Sequence, residues 1–155
     1  MSFVKAKEHL KKYGYENKIM EFNVSSATVK EAALALNCDE DEIAKTLSFI
    51  INDKPILIVV SGSSKIDNSK YKHEFKTKAK MIPFDEVEKK IGHAAGGVCP
   101  FGVNDDIDVY LDVSLKEHEI IYPACGSCNS AVKLTIGELE KSSNLIKWID
   151  VSKKN

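Results

Sequence analysis

Two apolar, β-branched runs constrain this chain more than anything else in it. Thr46-Leu-Ser-Phe-Ile-Ile51 and Ile56-Leu-Ile-Val-Val60 are separated only by Asn52-Asp-Lys-Pro55. Four turn-forming residues are too few for a crossover, so the two runs are expected to pair as an antiparallel hairpin. Lys45 stands at the start of the first run, where a short helical turn meets a buried strand. That position gives a lysine a rigid base while leaving its ammonium free to face a cleft.

The flanking segments supply helices. Phe3, Val4, Ala6, Leu10 and Tyr13 fall near helical spacing, with Gly14 as a stop. Thr28-Val-Lys-Glu31 fits a capping box ahead of Ala32, Ala33 and Leu36, and satisfies two orphan N–H groups at once. Asp39 and Glu42 repeat the pattern in miniature. Further helices are expected at 68–75, 84–91 and 136–142, and short strands at 18–22, 108–112, 119–122 and 131–134. No internal repeat or linker interrupts 155 residues, a length that fits one domain spanning 1–155. The count favours an α+β fold: a mixed, mostly antiparallel sheet with helices packed around it.

Composition narrows the function classes. Net charge is −1 and all 22 basic residues are lysines. With no arginine, a forked guanidinium clamp on phosphate or carboxylate is excluded. Any phosphate contact must come from lysine point charges or backbone N–H groups. The stretch 65–80 gathers Lys65, Lys70, Lys72, Lys76, Lys78, Lys80 and His73 against Asp67 and Glu74. It is the candidate contact for a nucleic acid, and such contacts are salt-sensitive. Tyr71 and Phe75 are candidates for stacking on a base, with Phe75 the better core residue. The N-terminus carries charges where a signal peptide needs its apolar stretch. No apolar run approaches the roughly 20 residues needed to span a bilayer. A cytoplasmic protein with no membrane partner is expected. No long apolar face is left after the core is assigned, which favours a monomer.

The loop Gly92-His-Ala-Ala-Gly-Gly97-Val-Cys-Pro-Phe-Gly102 is the most informative stretch. Four glycines in eleven residues imply positive φ or close approach, and consecutive N–H groups in such a loop can cradle an oxyanion. Pro100 stiffens it. The glycine spacing matches neither a phosphate P-loop nor a dinucleotide fingerprint.

Four segments occur together in order: Ile43-Ala-Lys45-Thr46-Leu47, Ser61-Gly-Ser-Ser-Lys65-Ile-Asp67, Gly96-Gly-Val-Cys-Pro100-Phe-Gly102, and Gly126-Ser127 with Ser130-Ala-Val. In order and spacing they resemble the YbaK-like aminoacyl-tRNA deacylases, relatives of the editing domain of bacterial prolyl-tRNA synthetase. The resemblance runs from about Lys5 to Leu139. It implies a sheet closed into a crumpled barrel with surrounding helices, and neither a metal nor a cofactor. It implies that Lys45 is the essential lysine and that the Gly96–Pro100 loop, with Gly97, positions substrate and water. Thr46, Ser61, Val98, Cys99, Pro100, Gly126, Ser127, Asn129 and Ser130 would form the pocket's rim and wall. Lys65, Lys70, Lys72 and Lys76 would meet the acceptor end of a mischarged tRNA, with an aminoacyl-tRNA synthetase as a further partner. The substrate would be a tRNA, foremost that for proline, carrying a small wrong amino acid: alanine, cysteine, serine or threonine.

Three other readings stand beside this one. Cys99 and His93 invite a thiol hydrolase, but no third residue orients them. Cys125-Gly-Ser-Cys128 has the spacing of a redox or zinc half-site, with no second pair to complete it. The fold could also bind an aminoacyl end, or a synthetase, without hydrolysing anything. His9, His73 and His118 read as solvated.

Overall fold

The computed structural model describes residues 2–155. Its helices are α1 (Ser2–Lys11), α2 (Val29–Leu36), α3 (Asn68–Phe75), α4 (Val87–Ile91) and α5 (Ile136–Ser142). Its strands are β1 (Ile19–Glu21), β2 (Ile43–Ile51), β3 (Lys54–Ser61), β4 (Ser64–Ile66), β5 (Asp108–Asp112), β6 (Ile120–Pro123), β7 (Ser130–Val132), β8 (Leu134–Thr135), β9 (Lys147–Ile149) and β10 (Ser152–Lys154).

The expected hairpin, β2–β3, lies at the centre of a six-stranded sheet of order β8-β6-β2-β3-β5-β9. Its turn is tighter than the sequence suggested. Asn52 and Asp53 alone make it, both with positive φ (50° and 66°), the two-residue geometry that matches the twist of paired strands. Lys54 and Pro55 therefore belong to β3, opposite Ile51 and Ile50. The fold is α+β, and the mixed sheet curls into a half-barrel. β2–β3 and β6–β8 are antiparallel, while β2–β6, β3–β5 and β5–β9 run parallel. Two antiparallel ribbons, β1–β7 and β4–β10, complete it.

The sheet is covered on both faces, as the unbroken apolar run of β3 requires. Leu57 and Val59 enter the larger core with Ala6 and Leu10 of α1, Phe101, Leu111 and Leu139. Ile56, Ile58 and Val60 enter a second core with Phe49, Tyr71, Ile149 and Val151. Leu57, Ile58, Val59 and Val60 are each fully buried, worth about 1.5–3 kcal/mol apiece relative to exposure. A third, smaller cluster packs Ala32 and Ala33 of α2 on Ile43. Thr28 caps α2 with the full reciprocal box to Glu31. Among the described residues no helix is long and apolar enough to cross a membrane.

Two surface assignments are corrected. Tyr71 is fully buried, its ring centroid 5.2 Å from Phe49 and 4.8 Å from Phe75. The i, i+4 pair faces the sheet, so neither ring is placed to stack on a base. His9 is not solvated. Its Nε2 donates to Ser142 O at 2.6 Å, and its Nδ1 accepts the Gly102 N–H at 3.0 Å. The ring joins α1 to the end of α5 and to the glycine-rich loop.

Candidate active site around Lys45

The site begins with a break in the sheet. β6 pairs with β2 only at Ile43 and Ala44, whose partners are Tyr122 and Pro123. Pro123 has no N–H with which to continue the ladder. At Lys45 and Thr46 that edge of β2 therefore opens into a cavity, before the 80–82 segment takes it up again between Ser48 and Ile50. Because β2 extends back to Ile43, Lys45 lies inside the strand, opposite Val60. Paired to β3 and one residue past the β6 ladder, its stem is better fixed than at a strand's first residue.

Lys45 is half-buried, and its Nζ donates to Gly62 O at 3.3 Å. An ammonium has three N–H donors, so two remain for a ligand. Burial lowers its pKa from the ordinary lysine value, because desolvation disfavours the charged form. Gly62 is needed where it stands, since a Cβ there would overlap Glu40 O and crowd Val29 Cγ1. The Ser61–Gly62 segment is held from behind. Ser61 Oγ donates to Asp41 O at 2.8 Å, and the Ser61 N–H donates to Ser114 Oγ at 3.0 Å.

The cavity holds about 100 Å³. The first turn of α2 (Thr28, Val29, Ala32) forms one wall and Ile43 to Thr46 another. Ala95, Gly96 and Val98 form a third, and Tyr122, Ala124, Ser130 and Ala131 close it. Lys45 is its only lysine, and neither Asp, Glu, His nor Cys lines it. Thr46 Oγ1 is buried in this wall without a hydrogen-bond partner.

Of the residues expected to form the site, Lys45, Thr46, Gly96, Val98 and Ser130 converge on this cavity. The others stand behind it. Gly97 is buried, its N–H committed to Ala94 O (2.9 Å) and its carbonyl to the Gly126 N–H (3.1 Å). A Cβ on Gly97 would overlap the Gly126–Ser127 peptide, so two backbones meet there with nothing between them. Ser127 Oγ lies 2.6 Å from Ser130 Oγ, and Asn129 Nδ2 donates to Phe22 O at 3.0 Å. Both side chains brace the wall. Pro100 lines a separate groove between α1 and the loop that precedes β5. Ser61 is buried behind Gly62.

Cys99 and His93 are both fully buried, with Sγ 3.5 Å from Nε2. His93 Nε2 is 2.5 Å from Phe101 O, and burial holds the ring's pKa below its usual value. Burial also pushes the Cys99 thiol far up. A neutral thiol packed in the core is no nucleophile, so this pair braces the loop. Cys125 is likewise buried and pushed up to about 12, while Cys128 is exposed. Among the described residues no group of three or more His, Cys, Asp or Glu side chains is placed to hold a metal.

The sequence reading missed the wall contributed by α2, and Tyr122 and Ala124. The capping box had fixed where α2 starts, but nothing local tells which strand a helix N-terminus will cover.

Residues 24–142 match the model of the aminoacyl-tRNA editing domain. The chain belongs to that family. Its YbaK-like motifs agree, and it is related to the editing domain of prolyl-tRNA synthetase. It is 47% identical to the uncharacterised protein YwhH of Bacillus subtilis (strain 168) over 154 residues, covering 99% of this chain and 98% of YwhH. It is 35% identical to the proline–tRNA ligase of Shouchella clausii (strain KSM-K16) over 101 residues, 64% of this chain but only 17% of the ligase. A solved structure described as a candidate trans-editing enzyme for prolyl tRNA synthetase superposes with a TM-score of 0.88 at 27% identity. That match covers 98% of this chain and 97% of the other.

Proposed function

We propose that this protein is a trans-acting aminoacyl-tRNA deacylase. It hydrolyses the ester of a tRNA, foremost that for proline, carrying a small non-cognate amino acid. The observation that carries the reading is the half-buried Lys45 ammonium, held by Gly62 O with donors to spare, at the wall of a cavity of about 100 Å³. A cavity of that size has room for the side chain of a small amino acid. Discrimination by one methylene is worth only about 1–3 kcal/mol, which is why a hydrolytic second sieve has a use.

The chemistry follows from what lines the cavity. With no carboxylate, imidazole or thiol there, the hydroxyls that line the cavity have no paired base to activate them as nucleophiles. Lys45 fixes the ester through its carbonyl, or through the terminal ribose or phosphate, as a compact point charge. The Gly97 N–H is already committed to Ala94 O, so the loop's oxyanion donors are the Gly96 and Val98 N–H groups. Water adds to the ester carbonyl, assisted by the free hydroxyl of the terminal ribose. The tetrahedral intermediate expels the esterified ribose oxygen, which takes up a proton, leaving free amino acid and tRNA. Positioning of this kind supplies several kcal/mol, and one oxyanion donor about a hundredfold in rate.

The test is deacylation of tRNAs carrying labelled alanine, cysteine, serine, threonine or proline. Release of one small non-cognate label above the spontaneous rate is the expected result. Binding of every member with release of none would make the protein a non-catalytic binding module.

A further inference from the structure

We propose that the outer face of the β4–β10 ribbon carries the phosphate backbone of the substrate's single-stranded 3′ end, with Lys65 and Lys153 as the contacts. This rests on the deacylase reading above. The two lysines are direct partners across the antiparallel ribbon, so their side chains leave the same face about 5 Å apart at Cβ. Both are exposed, while Ser64 and Ser152 are buried beneath them. Neither Lys65 nor Lys153 forms an ion pair among the described residues, although Lys54, Lys70, Lys147 and Lys154 each do. Like charges directly opposite one another destabilise a ribbon unless an anion lies between them.

The ribbon is rigid and close to the cavity. The buried Asp112 accepts from the Val151 N–H (2.8 Å) and from Ser152 Oγ (2.5 Å), and so fixes β10. The same carboxylate accepts the Ser114 N–H at 2.9 Å, and Ser114 Oγ holds Ser61. One network thus joins the ribbon to the segment whose Gly62 carbonyl grips Lys45. Lys65 is three residues on from Gly62, at most about 11 Å of extended chain. A surface this close is within reach of an RNA end whose terminal ester sits at Lys45.

Lys70 of α3 is less suited. It is engaged by Asp150 at 3.1 Å and by Ser152 O at 2.8 Å. Acidic side chains are near the ribbon too, but they are occupied: Asp150 by Lys70 and Glu117 by Lys154 at 3.4 Å. Asp67 caps α3 through the Ser69 and Lys70 N–H groups and attracts Lys153 without closing an ion pair with it.

The experiment measures binding of unacylated tRNA, intact or trimmed of its single-stranded 3′ end, across a salt series. The proteins are wild type, K65Q/K153Q, K65R/K153R and K72Q/K76Q. Loss of two single-strand phosphate contacts should lower the slope of log K against log salt by about 1.4. We expect K65Q/K153Q to weaken binding of intact tRNA by about tenfold or more, with the arginine pair restoring it and K72Q/K76Q within twofold of wild type. Trimming should weaken wild type but leave K65Q/K153Q nearly unchanged. An unchanged slope in K65Q/K153Q, or loss in K72Q/K76Q instead, would overturn the assignment. Because the RNA carries no ester, a failure of hydrolysis would not alter this result. Conversely, a wild type that hydrolyses while K65Q/K153Q binds normally would overturn the ribbon alone.

Discussion

His9 offers the most quantitative test of how the glycine-rich loop is held. Its Nδ1 accepts the Gly102 N–H and its Nε2 donates to Ser142 O, so the two bonds together require the neutral Nε2–H tautomer. Its ring packs 5.7 Å from Phe101 and 5.8 Å from Tyr13, centroid to centroid. His9→Ala removes two hydrogen bonds at about 1 kcal/mol each and roughly 1 kcal/mol of apolar contact. The sum, about 3 kcal/mol, lowers Tm by roughly 6–12 °C for a domain of this size. The pH dependence has a definite sign. Burial lowers the His9 pKa from its ordinary value of 6.5. The unfolded chain therefore binds the proton more readily, and stability is present in full above 6.5 and falls as pH drops below it. A ring that stays neutral when folded loses at most about 1.4 kcal/mol between pH 7.5 and 5.5, and partial exposure trims this to about 1 kcal/mol. His93, shifted the same way by burial, adds a similar fall. His9→Asn keeps an acceptor where Nδ1 stood but cannot titrate, so it should roughly halve the wild-type loss over that interval. Thermal and urea denaturation of wild type, His9→Ala and His9→Asn at both pH values read all of this. A Tm within 2 °C of wild type for His9→Ala, or an unchanged pH dependence in His9→Asn, would refute the reasoning.

Other substitutions test other parts of the account. Gly97→Ala puts a Cβ into the Gly126–Ser127 backbone; it should cost about 2 kcal/mol or more and reduce deacylation at least tenfold in single-turnover assays. Asp112→Ala leaves the Val151 and Ser114 N–H groups and the Ser152 hydroxyl without their acceptor. A loss of about 3–5 kcal/mol in urea denaturation is expected. Cys99→Ala should keep turnover within about threefold of wild type while costing roughly 1 kcal/mol of packing. Abolished turnover in a folded Cys99→Ala protein would restore the thiol-hydrolase reading.

Much of the architecture was legible because it is written locally. The β2–β3 hairpin follows from two apolar runs and a turn, and α2 from the Thr28–Glu31 box. The Thr135–Glu138 box that caps α5 has the same spacing and carried the same signal. What the sequence hid was tertiary. Whether Tyr71 faces solvent or sheet depends on where α3 lands, and a histidine's partners 93 and 133 residues away leave no local trace. The start of β2 at Ile43 is set by β6 across the sheet, not by its own propensity. At the site, the motifs named Lys45, Thr46, Gly96, Val98 and Ser130. They did not separate residues facing the cavity from those bracing it, since Gly97 and Asn129 act through the backbones they hold.

The central claim is that the Lys45 ammonium fixes the ester for hydrolysis. It is tested most directly by single-turnover deacylation of the preferred mischarged tRNA with wild type, Lys45→Ala and Lys45→Met, alongside binding of the same tRNA in unacylated form. The account predicts a rate loss of about a hundredfold or more in both variants, with the fold intact and RNA affinity changed by less than about tenfold. Turnover within a few-fold of wild type in a folded Lys45→Ala protein would contradict it.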